Sequence, residues 1–342
     1  VYRAHHLRLN IQVAVKILRI HSLADGESAS LSIKRFVREA RTAAAINHHN
    51  LVKVIDVGAD HGLYYLIMEL IEGETIRKRL NRKGALSERE AVEITLASSD
   101  GLAEAHSNNI VHRDVKPDNI MIGRNGKVKV TDLGLAKVSL DALEEEPQGA
   151  VITETQTVLG TPAYMSPEQT WNARNVGPAS DVWSLGVSLW EMLTGDTPWT
   201  TDDSLEAMMR IRSHMQPDIR SLRKDISCDI ANVIDISLKK DPDERYKNCE
   251  AVSDILRRYL FSLPKTDSFS LADPAAFCSD ANASQLANAP SSEDIRRIAR
   301  ALKEGSGSRI KKKVIRKKTS LVIRSSNVDP VVEILTANDP PQ

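Results

Sequence analysis

What this 342-residue chain lacks narrows its identity first. Cysteine is scarce: Cys228, Cys249 and Cys278 are the only three, and their spacing matches no zinc site or disulfide framework. Reduced structural thiols in a reducing cytosol are the expectation. Net charge is absent, with 46 Lys plus Arg against 46 Asp plus Glu. The chain as a whole therefore has no bias toward nucleic acid or a membrane surface, and any such bias must be local. The apolar runs fall short of the roughly 20 residues that span a bilayer. No signal peptide is visible. There is no initiating methionine, no internal repeat and no G-x-G-x-x-G. A cytoplasmic protein with a sizeable core is expected, since 41% of its residues are hydrophobic.

What is present divides into three stretches. The first reads as strands with one helix. "VAVKIL" is β-branched and apolar. "SIKRFVREARTAAAI" places Ile33, Phe36, Val37, Ala40 and Ala44 at helical spacing. "LVKVIDVGADHGLYYLIMEL" reads as two strands joined by a turn at Asp60, His61 and Gly62. Helical patterns dominate the second stretch, from "SEREAVEITLASSDGLAEAHS" onward. Ser87 followed three residues later by Glu90 is a capping-box signature. Near Phe261 the character changes to Ser, Ala, Asn, Asp and Pro without periodicity, as in a linker. Beyond it, Ile295, Ile298, Ala299 and Leu302 predict one face of a short helix, and "SRIKKKVIRKK" is strongly basic.

The chemistry concentrates in four motifs. "VHRDVKPDNIMI" carries His112, Arg113, Asp114, Lys116 and Asn119, with the spacing of H-R-D-x-x-x-x-N. "VTDLGLA" puts Asp132 and Gly134 where D-F-G would stand. "VAVK" ends in Lys16, and "GTPAYMSPEQ" occupies the place of A-P-E. A three-residue match arises by chance, but four motifs in this order do not. On these residues the chain resembles the eukaryotic-type Ser/Thr protein kinases, particularly their bacterial branch, over residues 1 to about 261.

The resemblance implies an α+β, two-lobed kinase fold. A β-rich small lobe would cover residues 1–68, a hinge 69–73 and a helical lobe 74–261. A linker over 262–290 and a tail over 291–342 would follow. It also implies ATP and Mg²⁺, with phosphoryl transfer to serine or threonine of protein substrates. Asp114 would accept the proton of the attacking hydroxyl, and Lys116 would stand beside the transferring phosphate. Asn119 and Asp132 would hold the metal. Lys16 would hold the phosphates, paired with Glu39. Val1, Ala14, Met68, Glu69, Ile71 and Met121 would border the nucleotide. Thr161 would link Asp114 and Lys116. Arg113 would meet a phosphate on Thr153 or Thr155, added by self-phosphorylation in a dimer. Asp181 would anchor the catalytic loop, and Glu168 would pair with Arg245.

Leu133 and Ser166 depart from D-F-G and A-P-E without loss of a reacting group. The missing glycine loop is the larger departure. Val1 aligns with the valine that ends that loop, so the chain is expected to be truncated just after it. The alternative is a kinase-fold protein without a phosphate loop, a silent scaffold or a signalling adaptor. For the basic tail, a solvated segment, an acidic partner, nucleic acid, anionic lipid and pseudosubstrate docking all stay open. No specific nucleic acid partner is expected for the rest.

Overall fold

The structure, a computed structural model, describes residues 1–18, 40, 42–60, 63–133, 162–171, 176–201, 203–264, 271, 321–324 and 330–334. The chain forms two compact units, one of residues 1–26, 53–71 and 275–342, the other of 27–52 and 72–274.

The first unit is an antiparallel sheet. Its strands are β1 (Tyr2–His6), β2 (Ile11–Leu18), β3 (Val54–Asp60) and β4 (Leu63–Glu69), with β8 (Leu321–Arg324) and β9 (Pro330–Ile334) from the tail. The spatial order is β3-β4-β2-β1-β9-β8. The β1–β2 turn closes through Asn10 at φ 53°, a left-handed conformation that Asn tolerates better than most residues. Side chains alternate between faces along a strand. Val13, Val15, Tyr65 and Ile67 therefore share one buried face with Ala4. Gly58 is needed there, because a Cβ would lie 2.4 Å from the Tyr65 hydroxyl. The sequence reading did not anticipate β8 and β9. "LVIR" and "PVVEI" are β-branched but too short to show their own periodicity, and their partners lie far away in sequence. The helix expected from Ile295 to Leu302 lies outside the described residues.

The second unit is mostly helical. It contains β5 (Gly73–Thr75), α1 (Ile76–Lys83), α2 (Glu88–Ser107), β6 (Ile120–Gly123), β7 (Val128–Val130), α3 (Pro178–Thr194), α4 (Ser204–Ser213), α5 (Ile219–Leu222), α6 (Cys228–Ser237) and α7 (Cys249–Ser262). Ser87 caps α2 as expected, its side chain accepting from the Glu90 N–H. α3 starts with Pro178 in its first turn and stops at Gly195, whose φ of 93° suits glycine. Between those signals it is buried nearly all round, so it runs through the core rather than over it. Trp183, Trp190 and Trp199 are core residues. The strands β5, β6 and β7 form a small sheet in that order.

Candidate functional site

Within the sheet unit, the register pairs Ala14 with Met68 and Lys16 with Leu66. These four residues share the face opposite Val13, Val15, Tyr65 and Ile67. Met68 is 6% exposed. Glu69 accepts the Lys53 N–H at 2.7 Å, and the Glu69 N–H donates to the Lys53 carbonyl at 3.0 Å. Its carboxylate is thus tied to the entry of β3. Ile71 is half-buried and Val1 is exposed. Glu39 lies outside the described residues.

Within the helical unit, Arg113, Asp114, Lys116 and Asn119 lie on irregular backbone between α2 and β6, and Asp132 follows β7. Their frame is Asp181 of α3, which is fully buried. One carboxylate oxygen accepts the His112 N–H at 2.7 Å and contacts His106 Nε2 at 2.8 Å. The other accepts the Arg113 N–H at 2.8 Å. Burial alone would raise this carboxyl, but the hydrogen bonds and charges of His106 and His112 outweigh it and hold it below its ordinary value. Arg113 sits at φ 65°, a costly conformation for a side chain with a Cβ. The Gln169 amide fixes it further by donating to the Arg113 carbonyl at 3.0 Å.

The next residues follow from that bend. Lys116 Nζ donates to both Asp114 oxygens, at 3.1 and 2.9 Å. Asn119 Nδ2 donates to an Asp114 side-chain oxygen at 3.0 Å and to its carbonyl at 2.8 Å. The Asp114 side chain keeps 44% of its surface exposed, so it is positioned yet reachable. Asn119 is anchored by a short 3₁₀ turn over Pro117–Asn119 that leads into β6. Met121 stands on β6 beside it, half-buried. Asp132 follows β7 with φ 62°, and the buried Leu133 packs into the core just after it. With the Asn119 NH₂ group engaged by Asp114, its Oδ1 is the atom left for a cation. An amide oxygen and a carboxylate are hard donors, and they fit Mg²⁺ better than a softer metal.

Glu168 and Arg245 meet as a bidentate pair, both contacts at 2.8 Å. Arg245 also donates to the carbonyls of Lys239, Lys240 and Ala179, so this buried guanidinium is well satisfied. Burial would raise Glu168, yet Arg245 and Ser180 pull it below its ordinary value. Thr153, Thr155 and Thr161 lie outside the described residues.

Two features escaped the sequence reading. His106 gives the Asp181 carboxylate a third partner from α2. Arg77 of α1 binds Glu191 of α3, the Tyr164 hydroxyl and, at 3.3 Å, Asp118 beside Asn119. Tyr164 also donates to Glu191 at 2.5 Å, and burial with Glu191 pushes its phenol well up. These partners are 75 and 114 residues apart, and no local signal marks them.

The family model described as protein kinase domain matches residues 1–256. The chain belongs to the protein kinase domain family. The α+β kinase fold expected from the motifs is the fold observed. Among curated relatives, serine/threonine-protein kinase PrkC of Bacillus subtilis is 35% identical over 250 residues, covering 73% of this chain and 37% of PrkC. Serine/threonine-protein kinase PknB of Mycolicibacterium smegmatis is 39% identical over 263 residues, covering 75% of this chain and 40% of PknB. These bear out the resemblance to the bacterial branch. The chain spans less than half the length of either relative. The crystal structure of Rad53 1-466 in complex with AMP-PNP matches with a TM-score of 0.56 at 26% identity, covering 72% of this chain and 57% of that one. Among the described residues, no helix is long and apolar enough to cross a membrane.

Proposed function

We propose that this kinase domain transfers the γ-phosphoryl group of ATP to serine or threonine hydroxyls of proteins. The observation that carries the reading is Asp114, held by Lys116 and Asn119 on a backbone that Asp181 fixes from inside α3. A carboxylate positioned and exposed in this way can accept the hydroxyl proton as the oxygen attacks. Lys116, bound to the same carboxylate, sets a cation beside the transferred group. Asn119 Oδ1 and the Asp132 carboxylate would hold Mg²⁺, which when bound would supply charge neutralisation of the phosphates. Lys16 binds the α- and β-phosphates from β2, with Glu39 as its partner. Ala14, Met68 and Val1, with Met121 and the backbone of Glu69 to Ile71, border the nucleotide.

The same reading covers domains and regulation. Residues 1–261 form the kinase domain, 262–290 a linker and 291–342 a tail that can meet an acidic partner or anionic lipid. Arg113 pairs with a phosphate carried on Thr153 or Thr155, added by a second copy, and Thr161 links Asp114 and Lys116. ATP as the phosphoryl donor supports a cytoplasmic site of action. A silent scaffold would not need Asp114, Lys116, Asn119 and Asp132 together.

The test is phosphate incorporation into a generic basic protein by the full encoded chain, with phosphosites read by mass spectrometry. Mg²⁺-dependent phosphoserine or phosphothreonine should form, and Asp114→Asn should lower the rate by about 10²–10⁴-fold. A folded wild-type protein that transfers nothing, or an Asp114→Asn variant as active as wild type, would refute the proposal.

A further inference from the structure

β7 leads to Asp132 through Thr131, and its outer edge is closed by residues from far upstream. The Val130 N–H donates to the Asn50 carbonyl at 2.8 Å, and the Val130 carbonyl accepts from the Val52 N–H at 2.9 Å. Leu51 and Val130 form a parallel bridge. The Val128 carbonyl, two residues back, faces the same edge. There the Asn50 side chain takes over, Nδ2 donating to the Val128 carbonyl at 2.8 Å. An amide side chain thus stands where one more peptide N–H would be, and a buried carbonyl that would otherwise lack a partner is satisfied.

The loop around Asn50 is built for this. Asn50 is 6% exposed, and its own N–H donates to His48 Nδ1 at 3.2 Å. α2 makes room with Gly101, where a Cβ would lie 2.8 Å from the Asn50 carbonyl oxygen and 3.0 Å from Leu51 Cδ2. On its inner edge β7 pairs with β6, Val130 opposite Ile120. Just beyond, the Thr131 N–H donates to the Asn119 carbonyl at 2.8 Å, and the Thr131 carbonyl meets His112 Nε2 at 2.7 Å. Asp132 then takes its left-handed φ. A non-glycine residue keeps such a conformation only where its surroundings over-determine it.

We propose that Asn50 is a positioning residue for Asp132 and Asn119. Its side chain locks the outer edge of β7, so the strand cannot fray and the two oxygen donors at its end keep their spacing. The effect on a cation rests on the assignment of Asp132 as a metal ligand; the hold on β7 does not.

The test variant is Asn50→Asp in the full encoded chain. It is nearly isosteric but turns a carboxylate oxygen, not a donor, toward the Val128 carbonyl. In metal-free protein, amide exchange at Val130 and Thr131 should quicken by about tenfold, the loss of one buried hydrogen bond. Mn²⁺ binding with ADP, read by electron paramagnetic resonance, should weaken severalfold. Leu256→Ala in α7 is the comparator, since it removes buried apolar surface without altering the Asn50 side chain, and it should leave both readouts unchanged. Should Asn50→Asp fail to fold, Gly101→Ala displaces the same loop and should act in the same direction. Wild-type exchange and Mn²⁺ affinity in the loop variant, or changes matched by Leu256→Ala, would overturn the proposal. Asp132→Asn separates the two layers. Unchanged Mn²⁺ affinity in Asp132→Asn would overturn the metal assignment, while exchange at Val130 would still decide whether Asn50 holds β7.

Discussion

The sheet unit and the helical unit present their chemical groups in opposite ways. In the sheet, Lys16, Ala14 and Met68 ride on regular strands, and the two-residue alternation alone puts them on one face. In the helical unit, Arg113 and Asp132 occupy strained backbone. The Arg113 backbone is held by side chains from distant elements, Asp181 and Gln169, and the Asn50 side chain closes the edge of the strand that leads to Asp132. A regular strand positions a side chain cheaply but coarsely. The braced loop fixes a carboxylate to hydrogen-bond precision and depends on every brace.

The comparison predicts unequal sensitivity. The largest effect is expected at Asp181→Ala, which leaves two backbone N–H groups and His106 without their shared acceptor. A loss of about 3–5 kcal/mol is expected in urea unfolding, and a loss within experimental error would show that the brace is dispensable. Arg245→Ala comes next. It strips a largely buried carboxylate of its bidentate partner and should cost about 2–3 kcal/mol after allowance for the partial exposure of Glu168. The rate of any properly folded fraction should stay near wild type. A normal melting temperature with lost activity would reverse the roles assigned.

The same pair gives a pH dependence. Glu168 titrates below its ordinary value when folded. Its stabilisation is therefore full above the unfolded carboxyl value of about 4.3 and is lost as pH falls through the lower folded value. Melting temperature should decline in that acid window, and Glu168→Gln should flatten the decline. An equal decline in both proteins would remove Glu168 from the account.

On the sheet side, Gly58→Ala forces a methyl against the Tyr65 ring and should cost about 1–3 kcal/mol. Exchange at Arg113 and Asp114 should stay as in wild type, because the braces lie in the other unit. The smallest effect is expected at Ser87→Ala, about 1 kcal/mol from the lost cap of α2. A larger loss there would mean that Ser87 does more than cap.

Much of this was legible in the sequence, for identifiable reasons. β2 announced itself by a β-branched run, β3 and β4 by two runs flanking a turn signal, and α2 by Ser87 and Glu90. The catalytic loop was legible as spacing, because its residues are close neighbours in the chain. Asp181 and the Glu168–Arg245 pair were legible only through the family resemblance. His106, the Arg77–Glu191–Tyr164 cluster and Asn50 were not legible. Each acts through a partner far away in sequence, and a lone His, Arg or Asn has no periodicity to betray it. The tail strands escaped for a related reason, since a four- or five-residue run becomes a strand only where a distant edge accepts it.

The most direct measurement is single-turnover phosphoryl transfer by Asp181→Asn in the full encoded chain, at saturating ATP and Mg²⁺. The amide replaces an anion that receives two backbone N–H groups. If the internal brace orients Asp114, the folded variant should bind nucleotide normally yet transfer phosphate at least about tenfold more slowly, the equivalent of one lost hydrogen bond. A folded Asp181→Asn protein that transfers phosphate at the wild-type rate would contradict it.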